Sequence, residues 1–186
     1  MNKFITFEGV EGSGKSTQIR RLGEYLNSKN IPVILTQEPS GTPIGRKIGD
    51  ILFDRGHQAM CPETELFLFF AARAQHVRQV ILPALKAGRM VISDRYVDSS
   101  LAYQGAGREL GVDVVRQVNA PAVDGLMPNA TVFLALGQKE AAYRQRKRAK
   151  DRLELEDASF HQRVAAAYEE IIRDDPGRCI VGDASG

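Results

Sequence analysis

The segment formed by residues 9–16, with the sequence GVEGSGKS, constrains the fold more than any other part of the chain. Two glycines that are separated by four residues and followed by Lys and Ser form the pattern of a phosphate-binding loop. The apolar segment before the loop, residues 3–7, predicts a buried strand, and Ile19, Leu22 and Leu26 after it recur at helical spacing. A strand, this loop and a helix in that order predict a nucleotide-binding site.

The residue types of this loop suit an anion. Its glycines permit backbone angles at which successive N–H groups point at one phosphate, and the start of the next helix adds partial positive charge. Lys15 supplies a charge for the terminal phosphates, and the hydroxyl of Ser16 suits Mg²⁺. The alternative, a glycine-rich turn without a ligand, does not explain the flanking strand and helix. The residues expected to bind the nucleotide here are Gly9, Val10, Glu11, Gly12, Ser13, Gly14, Lys15, Ser16 and Thr17.

Length and composition narrow the class of protein. The 186 residues fit one domain, with 43% hydrophobic and 26% charged residues, and the net charge of +2 argues against wholesale binding to nucleic acid or membranes. Cys61 and Cys179 match neither a disulfide framework nor a metal motif, which favours a reducing cytoplasm. We expect no transmembrane segment and no signal peptide, and we expect a further helix to be missing after residue 186.

The order of predicted elements gives the fold class. Strands alternate with helices, which predicts an α/β protein: a five-stranded parallel sheet with helices on both faces, as in P-loop NTPases. The predicted strands are residues 3–7, 33–36, 90–93, 130–134 and 178–181. The predicted helices are residues 15–28, 44–53, 62–85 with a bend at Pro83, 97–104, 112–124 and 157–173. Ligands are expected at the carboxyl ends of the strands, where Gly9, Glu38 and Asp94 fall.

The dipeptide Asp94-Arg95 follows the third predicted strand. An Asp at the end of an apolar strand opposite a phosphate-binding loop suits a Mg²⁺ site, together with Ser16. Arg95 beside it suits a second phosphate group, which a guanidinium binds through two N–H groups. The alternative is a salt bridge at the strand end.

A basic run spans residues 139–152, where Arg144, Arg148 and Arg152 are spaced to share one helix face. Such a cluster predicts a lid that closes over a transferring phosphoryl group and excludes water. The alternative is a solvated charged face.

Phe69 and Arg73 lie one helical turn apart on the same face of their helix. An aromatic ring beside a guanidinium can stack on a nucleotide base and hydrogen-bond its edge. The alternative, a core residue beside a surface arginine, is strengthened by the neighbouring Phe67 and Phe70.

Taken together, the chain resembles the thymidylate kinases of bacterial type, within the P-loop nucleoside monophosphate kinases. The resemblance covers nearly the whole chain, in order, and its most specific part follows the third strand. The matching segments are FEGVEGSGKSTQ (7–18), QEP (37–39), FFAAR (69–73), DRYVDSSLAYQG (94–105), DRLE (151–154) and DAS (183–185).

This resemblance implies transfer of the γ-phosphoryl group of ATP to dTMP, with Mg²⁺, in a cytoplasmic homodimer. It further implies one kinase domain over residues 1–186, with a lid at about 138–156. The acceptor would be bound by Glu11, Glu38, Phe69, Arg73, Arg95, Ser100, Tyr103 and Gln104. In this set Phe69 would stack on thymine, Arg95 would hold the acceptor phosphate, and Tyr103 would exclude a ribose 2′-hydroxyl. Glu11 would approach the deoxyribose 3′-hydroxyl.

The resemblance also assigns the catalytic arginine to the lid, because the phosphate-binding loop carries Gly12 where another subgroup places Arg. Arg148 is the first choice, acting with Lys15 and Arg95. On the donor side, Arg144 and the closing segment around Asp183 and Ala184 would border ATP.

The chain departs from the family pattern at four positions: Gln37, Ser40, Gly49 and Ala135. Two of these replace expected arginines near the acceptor. Three alternatives therefore stay open: a kinase for a deoxynucleoside or another nucleoside monophosphate, a GTPase-type switch, and an inactive homologue. The switch is disfavoured because no Asn-Lys-x-Asp sequence is present.

Overall fold

The computed structural model describes residues 3–146 and 149–185. Its strands are β1 (Phe4–Glu8), β2 (Val33–Gln37), β3 (Met90–Asp94), β4 (Ala130–Ala135) and β5 (Cys179–Asp183). They form one sheet in the order β2-β3-β1-β4-β5, and all neighbouring pairs are parallel. The predicted fold class is thereby confirmed.

Eight α-helices lie within the described residues. They are α1 (Lys15–Ser28), α2 (Pro43–Phe53), α3 (Pro62–His76), α4 (Leu82–Lys86), α5 (Val97–Ser100), α6 (Val112–Val123), α7 (Gln138–Gln145) and α8 (Ala158–Asp174). Short 3₁₀ turns occupy Arg55–His57 and Leu153–Leu155, and π-helical turns occupy Val77–Ile81 and Leu101–Gly107.

Each face of the sheet carries its own apolar core. Successive strand residues point to opposite faces, so Phe4 and Phe133 pack with side chains of α3, α6 and α8 on one face. Phe7 and Leu134 pack with residues of α1 on the other. Since both faces are covered, the central strands are apolar almost throughout, which is why they could be recognised from short apolar runs.

The helix predicted over residues 62–85 is present but is not α-helical throughout. A π-helical turn separates α3 from α4, and the N–H of Leu82 donates to the carbonyl of Val77, five residues back. Pro83 has no N–H and its ring crowds the preceding turn, and the π-helical turn before it widens the backbone there. The helix predicted over 97–104 is likewise half α and half π.

The prediction that Arg152 shares a helix face with Arg144 is wrong. Helix α7 ends at Gln145, and the side chain of Arg152 is buried, where it lies 2.6 Å from Glu65 and donates to the carbonyl of Leu52. A buried carboxylate 87 positions away satisfies its charge, which residue spacing cannot reveal. Arg148 lies outside the described residues.

Sheet order places the functional loops side by side. Strand β1 lies between β3 and β4. After β1 the chain adds β2 and β3 on one side of it and then β4 and β5 on the other side, so the strand order reverses beside β1. Ligands bind at such a crevice in open α/β sheets. Backbone hydrogen bonds join the starts of these loops: the N–H of Glu38 donates to the carbonyl oxygen of Asp94, and the N–H of Arg95 donates to the carbonyl oxygen of Phe7.

Candidate active site

The phosphate-binding loop has the backbone that its glycines permit. Gly9, Gly12 and Gly14 have φ angles of 129°, 79° and 87°, a region in which other residues are strained. A Cβ at Gly9 would lie only 2.7 Å from the carbonyl oxygen of Leu134 in β4, so the loop is packed directly on the sheet. Gly14 is the N-cap of α1, whose amino end therefore faces the loop.

Lys15 folds back over this loop. Its Nζ donates to the carbonyl oxygens of Gly9 and Val10, at 3.1 Å each, and the side chain is buried. Burial, together with the charge of Arg95, lowers the pKa of Lys15 to about 8, although nearby carboxylates partly oppose the shift. Within the described residues, the Ser13 hydroxyl is buried without a hydrogen-bond partner, which a bound anion would supply.

Ser16 and Asp94 come together although they lie on different elements. The hydroxyl of Ser16, in the first turn of α1, donates to Oδ2 of Asp94 at the end of β3, at 2.9 Å. The structure thus pairs the two residues that the sequence nominates for Mg²⁺.

Arg95 occupies the centre of the site. Its φ of 70° turns the chain sharply after β3, and its guanidinium forms an ion pair with Glu11 of the phosphate-binding loop. It also lies over the ring of Tyr103, 5.2 Å from the centroid. Burial alone would lower the pKa of Arg95, but the carboxylate of Glu11 holds this pKa well above its usual value. Burial in turn raises the pKa of Tyr103 to about 12.

The fully buried carboxylate of Glu8 shares hydrogen-bonding partners with Arg95. Glu8, the last residue of β1, accepts hydrogen bonds from the N–H of Tyr96 at 2.8 Å, from Ser99 at 2.6 Å and from the hydroxyl of Tyr168 at 3.1 Å. Arg95 donates to the same two hydroxyls, at 3.0 and 3.2 Å. Burial raises the pKa of Glu8 to about 7, and the charge of Asp98 adds to this effect.

The opposite end of the site contains Phe69 and Arg73. Phe69 is half-buried and meets the ring of Phe53 edge to face, at 6.3 Å between centroids. Arg73 is 1% exposed, so the alternative of a surface arginine is wrong. Its guanidinium donates to Glu38 at 2.8 Å and to Ser100 at 3.0 Å, which brings three nominated acceptor residues together.

Gln104, nominated for the same pocket, is anchored elsewhere. Its Nε2 donates to Oε1 of the buried Glu65 at 2.8 Å. Glu65 also accepts from Arg108 at 2.9 Å and from Arg152 at 2.6 Å. Gln104 is therefore held by a carboxylate that also binds Arg152, the last residue of the basic run.

One cavity of about 860 Å³ runs along these loops. The nominated residues that line it are Val10, Glu11, Gly12, Gly14, Lys15, Ser16, Thr17, Glu38, Phe69, Arg73, Asp94, Arg95, Ser100, Tyr103, Gln104 and Arg144. Gly9 and Ser13 belong to the loop but not to the cavity wall. Asp183 and Ala184 do not line the cavity either, although Arg144 donates to the carbonyl of Ala184 at 2.8 Å.

The model of the family described as thymidylate kinase matches residues 7–186. The chain belongs to the thymidylate kinase family. It is 45% identical over 185 residues to the thymidylate kinase of Symbiobacterium thermophilum, covering 100% of this chain and 86% of that protein. It is 47% identical over 186 residues to that of Pelotomaculum thermopropionicum, covering 98% and 86%.

A solved thymidylate kinase has the same architecture. The crystal structure of the enzyme from Ehrlichia chaffeensis superposes with a TM-score of 0.81 at 32% identity, covering 98% of this chain and 90% of that one. The chain is accordingly a kinase that binds a nucleotide phosphate donor. In residues 3–146 and 149–185, no helix is both long and apolar enough to span a bilayer.

The donor set of this thymidylate kinase family member fits Mg²⁺. Among the described residues, no three side chains of His, Cys, Asp or Glu lie together as a metal site. Mg²⁺ does not need such a cluster, because at nucleotide sites it takes one or two carboxylates and completes its shell with phosphate oxygens and water. The Ser16 hydroxyl and the Asp94 carboxylate supply that minimal set.

Sequence reasoning missed the buried polar residues behind the site. His76 hydrogen-bonds Glu38, Asn119 accepts from Arg73 and Tyr168 accepts from Arg95, across 38 to 73 positions of the chain. The carboxylate of Glu8 lies 4.0 Å from the guanidinium of Arg95 and accepts from the hydroxyl of Tyr168. Only Glu8 carried a signal, since a carboxylate at the end of an apolar strand is costly unless it has partners. The others lie within helices, where one polar residue does not stand out.

Proposed function

We propose that this member of the thymidylate kinase family transfers the γ-phosphoryl group of ATP to the phosphate of dTMP, giving ADP and dTDP. The observation that carries the proposal is the position of Arg95. Its guanidinium pairs with Glu11 of the phosphate-binding loop and lies over the ring of Tyr103, so a fixed positive charge separates the donor loop from the pocket of Phe69 and Arg73. Two phosphate-bearing molecules can therefore meet there.

The donor phosphates are bound by the loop. Its N–H groups and the amino end of α1 attract the anion, and Lys15 exchanges the carbonyls of Gly9 and Val10 for phosphate oxygens. The buried hydroxyl of Ser13 gains a partner in the same step. Ser16 and Asp94 would hold Mg²⁺, which supplies charge neutralisation at the phosphates. Arg144 and the Asp183-Ala184 segment border the adenine end.

The acceptor lies in the other half of the cavity. Phe69 stacks on the base, Arg73 binds its edge, and Ser100 and Gln104 complete the wall together with Glu38. Arg95 binds the acceptor phosphate, and Glu11, its present partner, is then close enough to meet the sugar. Tyr103 fills the space beside the sugar and favours deoxyribose. This half of the cavity therefore accounts for a pyrimidine deoxynucleotide.

The transfer itself requires alignment and charge stabilisation rather than covalent work by the protein. The segment at about 138–156 acts as a lid within a single kinase domain. It brings Arg148 to the transferring group and excludes water. Lys15 and Arg95 hold the two phosphates in line, and Arg148 neutralises the charge that develops between them.

A panel of acceptors tests this function. The full chain is incubated with ATP and Mg²⁺ and with dTMP, thymidine, dUMP, dCMP or dGMP, and ADP formation is measured. We expect dTMP to give the highest kcat/KM and thymidine to give none. Turnover of thymidine but not dTMP would indicate a nucleoside kinase, and dTMP binding without ADP formation would indicate an inactive homologue. Either result overturns the proposal.

We also infer a homodimer in the cytoplasm. Helices α2, α3 and α6 pack side by side and carry exposed apolar side chains, which a second copy of the chain would cover. The residues concerned are Ile44, Ile51, Phe67, Val114 and Val118. Sedimentation of the full chain tests the dimer. The free thiols of Cys61 and Cys179 are in keeping with a reducing compartment.

A further inference from the structure

Arg73 has almost no freedom in how it meets a ligand. Its Nε donates to Glu38 at 2.8 Å, NH1 donates to Asn119 at 2.9 Å, and NH2 donates both to the carbonyl of Tyr96 at 2.9 Å and to Ser100 at 3.0 Å. A guanidinium has five N–H groups, so these four bonds leave one, on NH1, to point at a ligand. Its direction depends on the partners that hold the other four.

Glu38 is the charged partner among these four, and its own carboxylate is held by a second side chain. Its Oε2 binds Arg73, and its Oε1 lies 3.2 Å from Nδ1 of His76. The carboxylate is 4% exposed. Burial would raise the pKa of Glu38, but the charge of Arg73 and the contact with His76 hold it below its usual value. Both carboxylate oxygens are thus engaged by side chains of α3.

His76 connects Glu38 to strand β2 of the sheet. The ring is fully buried, and its Nε2 lies 2.7 Å from the hydroxyl of Thr36 in β2. One tautomer of the ring suits both contacts: Nδ1 donates to Glu38, and Nε2 accepts a hydrogen bond from the Thr36 hydroxyl. A Cβ at Gly41 would lie 2.6 Å from Nε2, so the backbone also restricts the ring. Half-buried Thr36 and the buried side chains of His76, Glu38 and Arg73 therefore form one relay of contacts from β2 to the base pocket.

We propose that His76 is a positioning residue for recognition of the acceptor base. It fixes Glu38, and Glu38 fixes the guanidinium of Arg73, so that the one remaining N–H meets a carbonyl oxygen on the edge of the base. A single donor at that point favours pyrimidines that carry a carbonyl there, such as thymine, over cytosine, which carries an amino group. The inference rests on the proposed function of the same pocket.

Three substitutions separate positioning from packing. His76→Leu removes both ring nitrogens, and His76→Asn keeps a donor at the place of Nδ1, so it should still hold Glu38. Thr36→Val removes only the outer end of the relay. Thr6→Val is the matched control, because Thr6 is a buried strand residue whose hydroxyl bonds Thr131, outside the relay.

The readout is kcat and KM for dTMP, KM for ATP, and the ratio of kcat/KM for dTMP over dCMP. For His76→Leu we expect KM for dTMP to rise about tenfold and the ratio to fall by a similar factor, with kcat and KM for ATP changed less than about threefold. His76→Asn should recover most of both changes. Thr36→Val should shift the ratio in the same direction by a smaller factor, and Thr6→Val should not shift it.

Two outcomes would overturn the inference. One is an unchanged ratio in His76→Leu, and the other is an equal loss in the Leu and Asn variants, which indicates packing alone. If the Leu variant does not fold, Thr36→Val against Thr6→Val still decides, because equal ratios in those two contradict the relay. Failure of the proposed function is recognised separately, since the unmodified protein would then not phosphorylate dTMP.

Discussion

The hydroxyl of Ser16 lies 2.9 Å from Oδ2 of Asp94, although the two residues are 78 positions apart in the chain. One belongs to the first turn of α1 and the other ends β3, so the contact joins the phosphate-binding loop to the neighbouring strand.

Substitution of Asp94 tests the metal role of this pair. In Asp94→Asn the amide keeps the shape but loses the charge that attracts Mg²⁺, so we expect the Mg²⁺ concentration for half-maximal rate to rise about tenfold or more. The measurement is kcat against Mg²⁺ at saturating substrates. Asp113→Asn, an exposed carboxylate of α6, is the control. Equal Mg²⁺ requirements in the two variants would contradict the assignment.

Substitution of Arg148 tests the lid. If Arg148 neutralises the transferring phosphoryl group, Arg148→Ala should lower kcat by about 10³–10⁵ while the protein stays folded. The measurement is single-turnover formation of dTDP together with a circular dichroism melt. Arg20→Ala removes an exposed arginine paired with Glu24 and should leave kcat unchanged. A kcat for Arg148→Ala within a few-fold of the parent would show that another residue has this role.

The protonation of Lys15 predicts a pH dependence of ATP binding. Burial lowers the pKa of Lys15 to about 8 in the free protein, and phosphate binding favours its charged form. The Kd for ATP should therefore be constant below pH 8 and rise with increasing pH above it, by up to about tenfold per pH unit. Isothermal titration without dTMP measures this. Lys15→Arg keeps its charge and should show no such rise, and a flat profile in the parent would refute the prediction.

Glu8 predicts a pH dependence of folding. Its pKa is raised by burial from about 4.5 to about 7, so between these values the folded chain holds a proton that the unfolded chain has lost. The free energy of unfolding should therefore fall as pH rises through this range, by about 3 kcal/mol. Urea unfolding at several pH values measures the fall. This fall in stability should be smaller in Glu8→Gln. It should be unchanged in Glu24→Gln, the control, because Glu24 is exposed. Identical profiles in all three proteins would refute the prediction.

Arg152 is expected to matter for stability. Its pair with Glu65 is buried on both sides, with side-chain exposures of 4% and 0%. Arg152→Leu leaves the carboxylate of Glu65 with fewer partners, so we expect a loss of about 3–5 kcal/mol in the free energy of unfolding. Arg116→Leu breaks an exposed pair with Asp113 and should cost about 1 kcal/mol or less. Similar losses in the two variants, measured by urea unfolding, would contradict the buried role.

The donor half of the site could be predicted from the sequence because its determinants are local. Gly9, Gly14, Lys15 and Ser16 lie within eight consecutive residues, and their spacing is enough to predict the loop. Asp94 could be added because parallel strands end at one edge of the sheet, so an Asp that follows an apolar strand must lie there. The same logic identified the fold class from five short apolar runs.

The supporting residues could not be predicted, for two physical reasons. The first is distance along the chain: Arg95 and Tyr168, or Arg152 and Glu65, meet only after the sheet and helices have packed. The second is that charge spacing does not distinguish a buried arginine from an exposed one, so Arg152 was assigned to the lid face. Pro83 shows the same limit for the backbone. The sequence locates the proline but does not reveal the π-helical turn that precedes it.

The close contact of Gly9 with β4 has a consequence for the donor. The carbonyl oxygen of Leu134 faces Gly9 of the phosphate-binding loop, and the next carbonyl, of Ala135, accepts a hydrogen bond from the N–H of Ala184 at 2.9 Å. Two adjacent peptide groups of β4 thus contact the phosphate-binding loop and the segment that we propose to border the adenine of ATP. If ATP binds as proposed, a donor with a shorter phosphate chain has to give up contacts at one end or the other.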